Sequence, residues 1–336
     1  MNINKPYLLF LGDARDTLAA KTAIGVHYWR SDDCIGQLRL EGCNAKLDLP
    51  ELSISEAIER GAQTLIIGVA NRGGVISDAW QKTLVEAIEK GMDIASGLHM
   101  QLGELDKVRV AAEKYSRKLH DVRHPKGPFP VGNGEPRPGQ RLLTVGTDCS
   151  VGKMYTSLAI ERELQKRNIP VDFRATGQTG ILIDGRGISV DGVISDFISG
   201  AIEQLCPGND TDHWDIVEGQ GSLFHPSFAG VSLGLLHGAQ PDLLVLCHEP
   251  TRTNMRGLPK QPLPTVSDCM AANLESARLV SPTVKFIGMS INTSGLSEND
   301  AQFFLQQTED DLQLPCVDPV RTGVAAIVDK MLDADN

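Results

Sequence analysis

The chain has 336 residues, more than one core usually supports, so two domains are expected, each able to bury a core of its own. Hydrophobic residues make up 41% and charged residues 22%, a globular balance that excludes disorder beyond the termini; 33 glycines and 18 prolines point to the tight connections of an alternating α/β fold. A formal net charge of -11 argues against nonspecific binding to nucleic acid or an anionic membrane, so any anionic ligand must be held by a local positive site.

The seven cysteines (Cys34, Cys43, Cys149, Cys206, Cys247, Cys269, Cys316) are odd in number and scattered, with no CxxC pair and no ligand-like His/Cys spacing. They read as reduced thiols of a cytoplasmic protein, and no metal site is expected from them. The opening residues have no signal-peptide layout, and no apolar run is long enough to span a membrane.

Over residues 1–120, short apolar runs alternate with helix-like stretches, the pattern of a parallel sheet covered by helices. Tyr7 to Leu11 reads as a strand ending at Gly12-Asp13. Thr64 to Gly68 is a second, running into a glycine-bearing loop at 70–74. A helix follows from Ser77 to Lys90 with Ser77 as its N-cap, then a strand from Met92 to Ser96. No GxGxxG is present, so a dinucleotide site is not expected here; a structural or oligomer-forming domain with a partial ligand contribution fits better. From 121 to 140, Pro125, Pro128, Pro130, Pro136 and Pro138, mixed with Gly127, Gly132, Gly134 and Gly139, exclude regular structure and read as an interdomain linker.

The remainder, 141–336, reads as a P-loop domain. The apolar strand Leu142 to Val145 enters Gly146-Thr147-Asp148-Cys149-Ser150-Val151-Gly152-Lys153, a GxxxxGK loop, and a helix pattern runs from Lys153 to Lys166. Glycines let the backbone turn its N–H groups inward, the helix adds its positive end, and a lysine reaches terminal phosphates. The next residue, normally a Ser or Thr whose hydroxyl holds Mg²⁺, is Met154. Beyond the loop come a strand at Val171 to Phe173, a glycine-rich passage from Thr176 to Ile181, and a helix over about 194–205. Strands follow at Asp215 to Glu218 and Asp242 to Glu249, then a helix from Ser267 to Arg278 and a last strand from Val284 to Asn292.

Several side chains follow these strands. Glu218 sits where P-loop proteins place a strand-end carboxylate to polarise water or a metal, although a glutamate there can also be merely solvated. Arg174, Arg252 and Arg256 carry forked donors suited to carboxylates or phosphates. His225 and His248 are structural as lone histidines, with a base as the alternative. Asp148, Asp184, Asp191 and Asp196 read as turn or cap residues. Cys149 reads as a small side chain that fits its loop, the alternative being a thiol activated by the helix end.

The loop at 146–153 together with Val217-Glu-Gly-Gln-Gly resembles the paired loop and strand-end acid of dethiobiotin synthetase. A fuller resemblance, carried by Leu9 to Ala14, Gly146 to Met154, Ala175 to Gly180 and Val217 to Ser222, is to a bacterial and archaeal family long catalogued as of unknown function, some of whose members are regarded as D-glutamate N-acetyltransferases. It implies a Rossmann-like N-terminal domain before the P-loop NTPase-like α/β domain, and it makes Met154 part of the family's pattern. The activity implied is transfer of an acetyl group from acetyl-CoA to an acidic amino acid such as D-glutamate, with no metal requirement.

In that reading the loop, Lys153 and Thr156 hold the phosphates of coenzyme A and Glu218 or His248 takes the ammonium proton. Arg174, Arg252 or Arg256 neutralise the substrate carboxylates, and backbone N–H groups of 219–221 stabilise the oxyanion. The alternatives are an ATP- and Mg²⁺-dependent ligase or kinase of the dethiobiotin synthetase kind, against which Met154 counts, and a nucleotide-binding protein without turnover. A homo-oligomer is expected, with a small-molecule substrate and neither nucleic-acid nor membrane partners.

Overall fold

The computed structural model describes residues 3–17, 19–69 and 76–333. The glycine-bearing loop expected at 70–74 lies outside the described residues. Two compact units are present: residues 1–126 with 177–192, and residues 127–176 with 193–336.

The first unit is built on a parallel sheet in the order β2-β1-β3-β4-β5, namely β1 (Tyr7–Gly12), β2 (Cys34–Arg39), β3 (Thr64–Ile67), β4 (Asp93–Ser96) and β5 (Leu119–Asp121). All six residues of β1 are buried, as expected of a strand covered on both faces. The connecting helices are α1 (Lys21–Trp29), α2 (Ile54–Glu59), α3 (Asp78–Glu89) and α4 (Asp106–Tyr115). Ser77 caps α3 by accepting the Trp80 N–H at 3.3 Å, as its sequence position predicts. Ser53 and Glu56 close a reciprocal capping box on α2.

The second unit carries a six-stranded parallel sheet, β11-β10-β9-β6-β8-β7. Its chain runs β6 (Gln140–Gly146), α5 (Lys153–Lys166), β7 (Val171–Arg174), then α6 (Gln178–Asp184), which belongs to the first unit, and α7 (Ile198–Leu205). It continues through β8 (Trp214–Val217), α8 (Ala229–Ala239), β9 (Leu243–His248), α9 (Val266–Arg278), β10 (Lys285–Ile291), α10 (Glu298–Leu312), β11 (Cys316–Val317) and α11 (Ala325–Asp333). Strand β6 lies between β8 and β9, so the chain fills one side of it first and then switches to the other. That switch point, at the carboxyl end of β6, is where open α/β sheets take their ligands.

Three departures from the sequence reading have physical causes. The segment from 177, read as a glycine-rich passage, forms helix α6, with Gly180 buried in it and Gly185 ending it at φ 84°. The helix expected over 194–205 begins as a 3-10 turn at Ser195–Phe197 before α7. Strand β11, after the expected last strand, is too short to leave a periodic pattern.

Candidate functional site

The loop between β6 and α5 is held in shape by left-handed backbone at Ser150 (φ 57°) and Gly152 (φ 109°). A Cβ on Gly146 would lie 3.0 Å from the Lys153 Nζ and 2.9 Å from Val151, so this strand end accepts only glycine without a shift. Lys153 is 6% exposed and its ammonium donates to the Asp148 carbonyl at 2.8 Å. Burial lowers its pKa, against the pull of Cys247, Cys149 and Asp148. Thr156 is fully buried, and its hydroxyl bonds the Gly152 carbonyl at 3.0 Å and the Ser290 hydroxyl at 2.7 Å, which places it inside the packing of α5 on β10. Met154 is half-buried and contributes no oxygen.

Asp148 is not a simple turn residue. It is fully buried, and its Oδ2 accepts from the Arg252 guanidinium at 2.8 Å and the Arg256 N–H at 2.7 Å. Arg252 also donates to the Cys149 carbonyl at 2.7 Å and pairs with Glu249, so the segment after β9 clasps the phosphate loop. Arg256 is exposed and touches the Ser150 hydroxyl. Burial pushes the thiol of Cys149 up and Asp148 adds to the rise, while Lys153, Arg256 and Arg252 pull it down.

Glu218, one residue past β8, is 4% exposed and its carboxylate accepts the Thr176 N–H at 2.9 Å. Thr176 in turn donates its hydroxyl to the Glu218 carbonyl at 2.5 Å and receives Gln220 at 3.2 Å. The Gly219 N–H is committed to Thr144 Oγ1 at 3.0 Å, which removes it from the oxyanion donors expected at 219–221. His248, at the end of β9, shares a 3.0 Å hydrogen bond between Nδ1 and the Thr147 hydroxyl. Burial lowers its pKa and Arg252 adds to this, while Glu249 opposes it. Arg174 is engaged elsewhere: its guanidinium bridges Asp215 at 2.8 Å and Asp172 at 3.0 Å. The structure thus gathers the loop, His248, Arg252 and Arg256, and holds Arg174 in an ion-pair cluster of its own.

Sequence reasoning assigned no roles to Thr144, Thr176 and Ser222, the last donating to the Thr147 carbonyl at 3.2 Å. The glycine-rich motif around Thr176 was visible, but its place beside Glu218 depends on β7 and β8 being neighbours, which periodicity does not reveal. An apolar groove lined by Leu223, Phe224, Ala229, Leu233 and Ala272 begins at the residue after Ser222.

Two matched families cover most of the chain: a "Domain of unknown function (DUF1611_C) P-loop domain" over residues 130–328 and a "Domain of unknown function (DUF1611_N) Rossmann-like domain" over residues 38–125. A protein of Tritonibacter scottomollicae named D-glutamate N-acetyltransferase is 53% identical over 329 residues, covering 98% of this chain and 99% of the relative. One of the same name from a Pseudoalteromonas species is 50% identical over 328 residues, with 98% and 99% covered. The crystal structure of a DUF1611 family protein from Anabaena variabilis superposes with a TM-score of 0.85 at 30% identity, covering 98% of this chain and 100% of that one. With both domains matched and the fold shared nearly end to end, the chain belongs to the DUF1611 family, a Rossmann-like domain followed by a P-loop domain.

Proposed function

We propose that this protein is an N-acetyltransferase that moves the acetyl group of acetyl-CoA onto the amino group of an acidic amino acid of the D-glutamate type. The observation that carries the reading is the near full-length identity of 53% and 50% to two proteins of that name. The site chemistry supports it. A phosphate loop whose lysine is followed by Met154 lacks one usual protein ligand of Mg²⁺, and coenzyme A has phosphates to anchor but needs no metal for acyl transfer.

The loop amides and Lys153 hold the coenzyme A phosphates, and the groove beside Leu223 and Ala272 takes the pantetheine arm. The substrate amine loses a proton to Glu218 or His248 and attacks the acetyl carbon. The N–H groups of Gln220 and Gly221 receive the oxyanion, since that of Gly219 is committed. The C–S bond then breaks, and coenzyme A leaves as its thiol after taking up the proton. Among the candidate arginines, exposed Arg256 is the one we assign to a substrate carboxylate, because Arg174 and Arg252 already bridge carboxylates of the chain.

The test is release of coenzyme A thiol in the presence of acetyl-CoA and a panel of D- and L-amino acids. Release with D-glutamate, and its loss in Arg256→Ala through a raised KM, is expected. No release across the panel refutes the proposal, and ADP formation from ATP on the same panel replaces it with the ligase reading. Comparing Glu218→Gln with His248→Gln identifies the base by which variant loses kcat and the acid limb of the pH profile.

A further inference from the structure

We propose that Asp148, Cys149 and His225 form a binding site for one thiophilic divalent cation of the Zn²⁺ class, with a coordination position left open. A carboxylate oxygen of Asp148, the sulfur of Cys149 and a ring nitrogen of His225 all lie within 4.8 Å of one another. Sulfur, imidazole and carboxylate are the donors Zn²⁺ takes, and three protein donors with a fourth position free is the pattern of its open sites. No ligand spacing is visible along the chain because the donors come from two loops far apart in it, brought together by the adjacency of β6 and β8.

A second observation points to a missing partner. Asp148 is fully buried, and while its Oδ2 is occupied by Arg252 and Arg256, its Oδ1 has no hydrogen-bond partner among the described residues. A buried carboxylate oxygen left without a partner is destabilising, and a cation at the cluster removes that cost. His225 is 2% exposed, and its Nε2 faces the Arg256 carbonyl at 3.4 Å, an acceptor only. Without a cation the ring proton therefore sits on Nε2 and Nδ1 accepts the Ser227 N–H at 3.2 Å, so a cation at either ring nitrogen displaces one of these two contacts. An imidazole that ligates through one nitrogen and donates to a carbonyl through the other is the usual outer support of a metal site.

The charge balance is favourable. One divalent cation is neutralised by the Asp148 carboxylate and the Cys149 thiolate, while Arg252 is also paired with Glu249. Binding releases the Cys149 thiol proton to solvent as the S–metal bond forms. A comparable cluster, Asp172, His213 and Asp215, is not assigned a cation, because the Arg174 guanidinium already bridges both of its carboxylates. The site also differs from the Mg²⁺ position of P-loop hydrolases, which uses the residue after the lysine, here Met154. It stands whatever organic ligand the loop holds.

The test is a Co²⁺ titration of the chelator-treated full-length chain, read by absorbance. One equivalent is expected to bind with a sulfur-to-cobalt charge-transfer band that Zn²⁺ displaces. The band should vanish in Cys149→Ser and persist in Cys43→Ser, and His225→Gln should weaken binding by about tenfold or more. On the unmutated chain, saturating Zn²⁺ should slow alkylation of Cys149 but not of Cys43, which keeps the question decidable if a variant folds poorly. Absence of the band, a band indifferent to Cys149→Ser, unchanged affinity in His225→Gln, or unprotected Cys149 each overturns the site.

Discussion

Replacing Gly219 with alanine tests whether the two loops of the candidate site are wedged at their closest point. A Cβ built there lies 1.6 Å from the Thr144 carbonyl oxygen and 3.0 Å from the Lys153 Cδ. Ordinary C···O contacts are near 3.3 Å, so β6 and the segment after β8 must part by more than an ångström. Overpacking of this kind costs about 1–3 kcal/mol. The movement also strains the Gly219 N–H bond to Thr144 Oγ1, whose loss adds about 1 kcal/mol. A total near 3 kcal/mol corresponds to a Tm lower by about 6–12 °C for a unit of this size. Because Lys153 is one of the atoms displaced, the acetyl-CoA-dependent thermal shift should also shrink. Gly230→Ala is the control, since nothing lies within 4 Å of its Cβ and it sits in the first turn of α8, where alanine adds up to about 1 kcal/mol of helix propensity. Circular dichroism melts of the two variants decide the matter. A Gly219→Ala protein melting within about 1 °C of the wild type would show that the strand ends yield freely, and the wedge argument would be wrong.

The clasp on the phosphate loop predicts a non-additive pair. In chelator-treated protein, Asp148→Asn should cost about 1–3 kcal/mol, since it weakens the charge-assisted bond to an Arg252 that Glu249 and the Cys149 carbonyl still hold, and Asp148→Asn with Arg252→Gln should cost less than the two single changes summed, as measured by denaturant unfolding. Acid sensitivity should follow from His120, which is 7% exposed; burial lowers its pKa and Lys118 adds to this, while Asp93 opposes it. From about pH 6.5 downward the unfolded chain then holds more protons at this residue than the folded one, so stability rises with pH through that window and is lost on acidification. His120→Gln should flatten that slope in urea midpoints taken between about pH 5 and 7, and an unchanged slope would assign the effect to other groups.

The phosphate loop and its flanking elements were legible because their signal is local. Glycine spacing, an apolar run before it and a helix period after it all lie within one short stretch, and α5 spans Lys153–Lys166 as the pattern predicts. The strand end carrying His248 was legible for the same reason, since a buried parallel strand is a continuous apolar run, and that carrying Glu218 was legible from Ile216 and Val217 despite Asp215 inside β8. What the sequence withheld is adjacency. Whether Arg174 meets a ligand or Asp215, whether Thr176 supports Glu218, and whether His225 stands beside Cys149 all depend on which strands are neighbours in the sheet, and strand order leaves no mark on hydrophobic periodicity. The same limit explains Asp148. Aspartate in a glycine-rich loop has a sufficient local explanation as a turn residue, yet its carboxylate is held by an arginine more than a hundred positions away. Local chemistry therefore located the site, and long-range pairing decides which of its charged groups remain available to a ligand.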